Sequence, residues 1–291
     1  MLSEFWPYLA ILAGFFSGII ALFEKKLLKI EHALAYTASI TFIVTVFSFM
    51  LLPFANFNII PLNWILLYAY SITLTISFWF TARLFRHGNI SIASPIYKTL
   101  PILFVVIFAF LFLNESLTLI QYGFIIILAI SAYLLINESK KIKESNNYKY
   151  NYRLLILLDT LAVSFGLIIL KYLLNYVNIA SIIIIVNIFT SLNLMAIIVR
   201  RGSTYLSWFK NDIKIYINNI VLISTLTFFY RIIFYLTISS ILISLAIPIA
   251  NITTIIITVL IGGVIFKEKS LFKKVLLALI MIVSAYFLIV T

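Results

Sequence analysis

The chain has 291 residues, 64% of them hydrophobic and 10% charged, with a mean hydropathy of +1.17. Soluble domains sit near roughly 45–50% apolar and about 25% charged, so a water-soluble globular fold is excluded, and the absence of cysteine removes disulfides, thiolate metal sites and cysteine nucleophiles together. The net charge of +12 would suit nucleic acid in a soluble protein, but the basic residues lie between apolar runs, where they set topology and meet anionic lipid; no nucleic-acid partner is expected.

A helix needs about 20 apolar residues to cross a bilayer core. Ten such stretches follow one another: 5–24, 32–52, 62–83, 90–113, 117–136, 153–174, 178–199, 214–238, 241–266 and 270–290. They are continuously apolar and do not alternate, which predicts an all-α polytopic membrane protein and not a barrel. The first stretch, Phe5 to Phe23, lacks a basic leader and an Ala-x-Ala-type cleavage site, and reads as a retained span. It carries Gly14 and Gly18, a small face for close packing with the spacing of a dimer motif, and ends at Glu24-Lys25-Lys26. The third stretch sets Tyr68, Thr75, Trp79 and Arg83 on one helical face. The fourth carries Ser91, Ser94, Lys98 and Pro101 on a stripe, with Pro95 and Tyr97 beside it. After the fifth comes the polar Lys/Asn/Tyr-rich stretch 138–152, the one real linker. The sixth holds Asp159 and, three or four residues from its end, Lys171, which can snorkel to the interface. The eighth aligns Ser224, Thr227, Arg231 and Tyr235, with Tyr230 adjacent, and the stretch Arg200 to Asp212 before it reads as a loop. The ninth aligns Ser244, Asn251, Thr254 and Thr258 and contains Pro248.

A repeat organises these stretches. Residues 90–136 recur without a gap 153 positions later, at 243–289, with 14 of 47 positions identical. Ser91, Ala93, Pro95 and Ile96 fall on Ser244, Ala246, Pro248 and Ile249; Glu115 falls on Glu268, and Lys98 on Asn251. Each copy closes a run of five apolar stretches. Five is odd, so the second half enters the membrane from the opposite side, as in inverted-repeat transporters with a site between the halves. The expected domains are 1–137 and 153–291, joined by the linker 138–152.

All but three of the 21 basic residues flank alternate loops, which places those loops and the linker in the cytoplasm and both termini outside. The three exceptions are Lys98, Lys171 and Arg231. A charge at the bilayer centre costs at least about 2.5–3.5 kcal/mol, so each must face protein or water. Polar stripes on the third, fourth, eighth and ninth helices, two of them carrying a cation, predict a shared wet cavity. Lys98 and Arg231 are the candidates for binding an anionic or zwitterionic group, and Trp79, Tyr97, Tyr230 and Asn251 for shape and hydrogen bonds. Asp159, or Glu24 at the end of its helix, is the candidate coupling group for a proton; the competing readings are a structural ion pair for each. Pro95 and Pro248 each remove a backbone donor and predict kinks that bend during gating or merely shape the helix. His32 and His87 lie at helix ends, no His/Cys/Asp/Glu set has metal-ligand spacing, and no Walker-type phosphate loop occurs. Neither a metal, a cofactor nor an enzymatic activity is expected.

Ile92-Ala93-Ser94-Pro95, Pro101-Ile102-Leu103-Phe104 and Phe112-Leu113-Asn114-Glu115-Ser116-Leu117-Thr118 resemble the small-residue stretch, the proline-led apolar run and the Leu-Gly-Glu-Arg-like end of EamA-like members of the drug/metabolite transporter superfamily. Asn114 stands where the family has glycine, and the second half keeps Phe266-Lys267-Glu268 of that end. The resemblance, read over essentially the whole chain, implies a ten-helix carrier of small metabolites, amino acids or drug-like compounds in the cell membrane, working without a soluble cofactor. It also implies cytoplasmic termini, opposite to the charge pattern. The expected function is secondary transport, with export the expected direction, of a small polar metabolite such as an amino acid or organic anion by alternating access. A coupling proton or counter-substrate is the further partner. An integral-membrane lipid-processing enzyme or a lipid-carrier flippase is the alternative.

Overall fold

A computed structural model describes residues 4–87, 90–140, 152–265 and 271–290. Ten α-helices occupy them, with no strand among the described residues: α1 (Trp6–Leu28), α2 (Ala33–Ser48), α3 (Pro61–His87), α4 (Ile90–Leu113), α5 (Leu119–Lys140), α6 (Tyr152–Leu174), α7 (Ile179–Arg201), α8 (Ser203–Ser240), α9 (Ile243–Ile265) and α10 (Leu271–Val290). A 3-10 segment, Phe49–Phe54, extends α2. Seven helices are long and apolar enough to cross a membrane, those being α1, α2 with its extension, α3, α6, α7, α8 and α9. The described parts of α4 and α5 add shorter apolar stretches, Tyr97–Leu113 and Leu119–Ser131. Most of the linker, 141–151, and the second copy of the family-like end, 266–268, lie outside the described residues.

Local chemistry sets the helix ends. His32 caps α2 by accepting a hydrogen bond at Nδ1 from the Leu34 amide (3.3 Å), and Asn178 caps α7 through Oδ1 and the Ala180 amide (2.8 Å). Thr118 and Gln121 form a reciprocal capping box before α5: the Thr118 amide donates to Gln121 Oε1 at 3.0 Å, and the Gln121 amide to Thr118 Oγ1 at 3.3 Å. Asn114 ends α4 in the left-handed region at φ 54°. Asparagine is, after glycine, among the residues that best tolerate that conformation.

One expectation about helix breaks is corrected. The stretch Arg200 to Asp212 is helix, apart from Gly202 at φ 98°. Phe209 and Asp212 are buried on one side of it while Lys210 and Lys214 are exposed, so 203–215 is an amphipathic arm of α8 and not a loop. The arm joins the apolar part of α8 at Tyr216, where φ and ψ leave the helical region (−113°, 21°). Helix α4 runs through Pro95 and Pro101, and α9 through Pro248. Pro95 and Pro248 are each the sixth residue of a helix, so the carbonyl that each one frees belongs to the first turn, where the helix bends at little cost.

Helices α4 and α9 lie together and run antiparallel: Glu115 meets Ser244, Lys98 meets Asn251 and Ser94 meets Thr258. Helix α1 lies on α9 through its glycines. A Cβ added at Gly14 would stand 2.4 Å from the Ala250 carbonyl, and one at Gly18 2.7 Å from Ile257 Cβ. The small face of α1 is thus an intramolecular seam. Glu115 holds the start of α9, accepting from the Ile243 (3.0 Å) and Ser244 (3.1 Å) amides. Lys171 does not snorkel: its Nζ donates to the Ile238 and Ile241 carbonyls, both at 2.7 Å, at the end of α8. The outer faces of α5 and α10 expose large apolar side chains such as Ile126, Ile130, Val283 and Tyr286, as a lipid-facing surface requires.

Candidate functional site

A cavity of about 180 Å³ lies among α1, α2, α3, α4, α6, α8 and α9. Its wall is mostly aliphatic and aromatic, with few charges, which is the composition of small-molecule sites. Six of the candidates share it: Lys98, Arg231, Asn251, Tyr97, Tyr230 and Glu24.

Arg231 is one turn before Tyr235 on α8 and is 5% exposed. Its guanidinium carbon stands 5.2 Å from the centre of the Phe78 ring, a cation–π distance. Its Nη1 is buried with no hydrogen-bond partner. Around it Tyr70 and Tyr235 bring their hydroxyls within 3.1 Å of each other, and Tyr230 stacks on Phe234 at 5.2 Å. The result is a guanidinium in an aromatic setting, with donor capacity left over.

Lys98 is placed differently. Its Nζ lies 5.0 Å from the centre of the Tyr97 ring, and both Glu24 and Asp159 act on it as opposite charges. Glu24, at the far end of α1, also faces the Tyr36 hydroxyl. Asn251 spends its amide on the protein, donating from Nδ2 to the Lys98 carbonyl at 2.8 Å. Its partner is the residue that the repeat register makes its own counterpart, 153 positions earlier. Tyr97 packs edge-on against Phe85 at 6.3 Å. Asp159 is buried behind the cavity wall, against Ser77 and Thr81 of α3. Pro248 is buried in α9; Pro95 lies in α4, and its side chain falls outside what is described.

Trp79 does not join this group, which corrects the expectation. Its indole lies between Arg83 (4.2 Å) and Arg201 (5.0 Å) and packs on the cluster around Leu34 and Leu194. The stripe that suggested it, Tyr68, Thr75, Trp79 and Arg83, faces α7: Tyr68 meets Phe189, and Thr75 accepts from Asn193 at 3.4 Å. The cavity face of α3 is the other side, with Tyr70, Ser77, Phe78 and Thr81. Spacing alone could not choose between two polar stripes on one helix. The contribution of α2, through Tyr36, Thr37 and Thr41, is a further addition to the reading from sequence. Thr37 and Thr41 bond their own helix four residues back, which hides polar residues in an otherwise apolar run.

Most of the hydroxyls on the α9 stripe serve packing. Ser244 donates to Glu115, Thr254 reaches the Gly14 carbonyl at 3.1 Å, and Thr258 reaches Ser94 Oγ at 2.9 Å. They are interhelical bonds, of the kind that joins helices in a membrane.

Apolar helices long enough to cross a membrane enclose a charged, aromatic cavity, the layout of a multi-pass membrane protein. Residues 4–137 match the model of the EamA-like transporter family, part of the drug/metabolite transporter superfamily. No curated protein matches the chain.

Proposed function

We propose that the protein is a secondary transporter that carries a small metabolite with an anionic group, such as an amino acid or organic anion, by alternating access. The observation that carries this reading is Arg231: a buried guanidinium on the cavity wall with an unmet donor and aromatic neighbours. A buried cation left unpaired is costly, and a substrate carboxylate or phosphate would relieve that cost. The aromatic wall would take the rest of the molecule. Lys98 has Glu24 and Asp159 as opposite charges and so serves with them as the coupling group for a proton or counter-substrate.

The antiparallel α4–α9 crossing and the contact of Asn251 with its counterpart Lys98 support two inverted five-helix halves, 1–137 and 153–291. With ten crossings, the distribution of basic residues argues for linker 138–152 in the cytoplasm of a cell-membrane protein with both termini outside. Pro95 and Pro248, near the same end of equivalent helices, are the points at which those helices flex.

A thermal-shift screen of the purified protein tests the reading, because a ligand of the native state raises its apparent stability. Amino acids and organic anions should raise the Tm of the wild type and not of Arg231→Gln. A response confined to cationic compounds, or one that Arg231→Gln retains, would remove the anion assignment.

A further inference from the structure

We propose that Asp159, Ser77, Thr81 and Tyr97 form a binding site for a sodium ion beside the substrate cavity. Asp159 comes from α6, Ser77 and Thr81 sit one turn apart on α3, and Tyr97 comes from α4. The hydroxyls of Ser77 and Thr81 lie against the Asp159 carboxyl, and the Tyr97 hydroxyl meets the same two. Asp159 is 1% exposed and Thr81 8%, yet Asp159 Oδ1 and Thr81 Oγ1 are both buried without a hydrogen-bond partner. Two oxygens of one buried cluster left unmet in a membrane interior are costly, and a cation within the cluster would satisfy both.

Charge points the same way. Glu24 and Asp159 are two carboxyl groups facing one ammonium, that of Lys98. With both carboxyls ionised these three groups carry one surplus negative charge, and Arg231, elsewhere on the cavity wall, is not among the charges acting on either carboxyl. The donors are all oxygen, one carboxylate with three hydroxyls, which suits a hard monovalent ion. Calcium takes six to eight oxygen ligands and more carboxylate charge, and transition metals favour nitrogen and sulfur. No group of three or more His, Cys, Asp or Glu that could hold such metals occurs among the described residues. A proton would satisfy one oxygen, whereas sodium would draw on all four. Ser77, Thr81 and Tyr97 also line the cavity, so an ion would reach the site from there. Once bound, it would tie α3 and α4 to α6 and favour one packing of the two halves. Its use as the coupling ion rests on the transporter reading; its binding does not.

The test replaces choline with sodium or potassium at constant ionic strength and reads the Tm of the purified protein. The wild type should show a saturable rise with sodium and a smaller one with potassium. Asp159→Asn should abolish it, and Thr81→Val should raise the half-saturating concentration several-fold, so the milder variant carries the test if Asp159→Asn does not fold. Arg231→Gln should keep the sodium response, which separates this site from the anion site. A wild type that responds alike to sodium and choline overturns the proposal. So does a sodium response unchanged in both site variants, or a Tm that follows pH and ignores sodium, which would assign Asp159 to a proton.

Discussion

Arg231 and Lys98 line one cavity, yet what surrounds them separates their roles: aromatic rings and an unmet donor for Arg231, two carboxyl groups for Lys98. Both were legible in the sequence because a charge inside an apolar run is expensive, and the cost forces it toward protein or water. Hydroxyls carry no such cost, since they can bond their own helix. Ser77, Thr81 and Thr41 therefore stayed hidden, and Trp79 was drawn toward the cavity by a stripe that packs on α7. Outside the spanning segments, Asp212 on the arm of α8 is buried against Glu31, with Oδ2 unpartnered. Burial first, and then the neighbouring Glu31 carboxyl, hold the Asp212 pKa above its usual value of 3.8. A raised folded-state pKa means that the group's contribution to stability is fully present below the unfolded pKa and is lost as pH climbs through the folded value. Asp212→Asn, which stays neutral, should thus gain Tm relative to the wild type as pH rises above about 4. Paired melting curves at several pH values measure this; a difference that is constant with pH would show that Asp212 titrates normally.

Gly14 and Gly18 bring α1 close against α9. Gly18 faces Ile257 so closely that a methyl group has no room, and the neighbouring atom is the branched Cβ of Ile257, which cannot swing away. Gly18→Ala should cost about 1–3 kcal/mol through overpacking, read as a lowered Tm. Gly123 on α5, where an added Cβ meets nothing within 4 Å, supplies the control and should tolerate alanine. Equal effects at the two sites would show that α1 does not pack on α9 through this face. Helix limits were legible within a few residues, because apolar length and charge clusters mark them. The arm of α8 was not legible. Its charged and polar residues look like a loop until His32 is found stacked on Trp208 at 4.6 Å, with Tyr205 edge-on at 5.0 Å. That contact joins the α1–α2 turn to a helix that begins 171 positions later (32 to 203). Local pattern carries no signal for such a pairing.

At the scale of the molecule, the 153-residue repeat is legible in the sequence, whereas the seven-helix cavity follows from how the helices pack. Orientation is open to direct test because the chain has no native cysteine. Cysteines at Asn58 and Ser240 should react with an impermeant thiol reagent from outside, and one at Asn146, in the linker, should not. The reverse pattern would place the basic loops outside and refute the charge argument. The central claim is that an anionic small molecule crosses by way of Arg231. Counterflow in proteoliposomes tests it most directly, using labelled amino acids and organic anions identified by the thermal-shift screen. The account predicts saturable uptake driven by unlabelled substrate on the far side. Arg231→Gln should weaken apparent affinity by about 1.5–3 kcal/mol, roughly 10- to 150-fold, the worth of a charge-assisted hydrogen bond. Uptake that does not saturate, or that Arg231→Gln leaves unchanged, would contradict it.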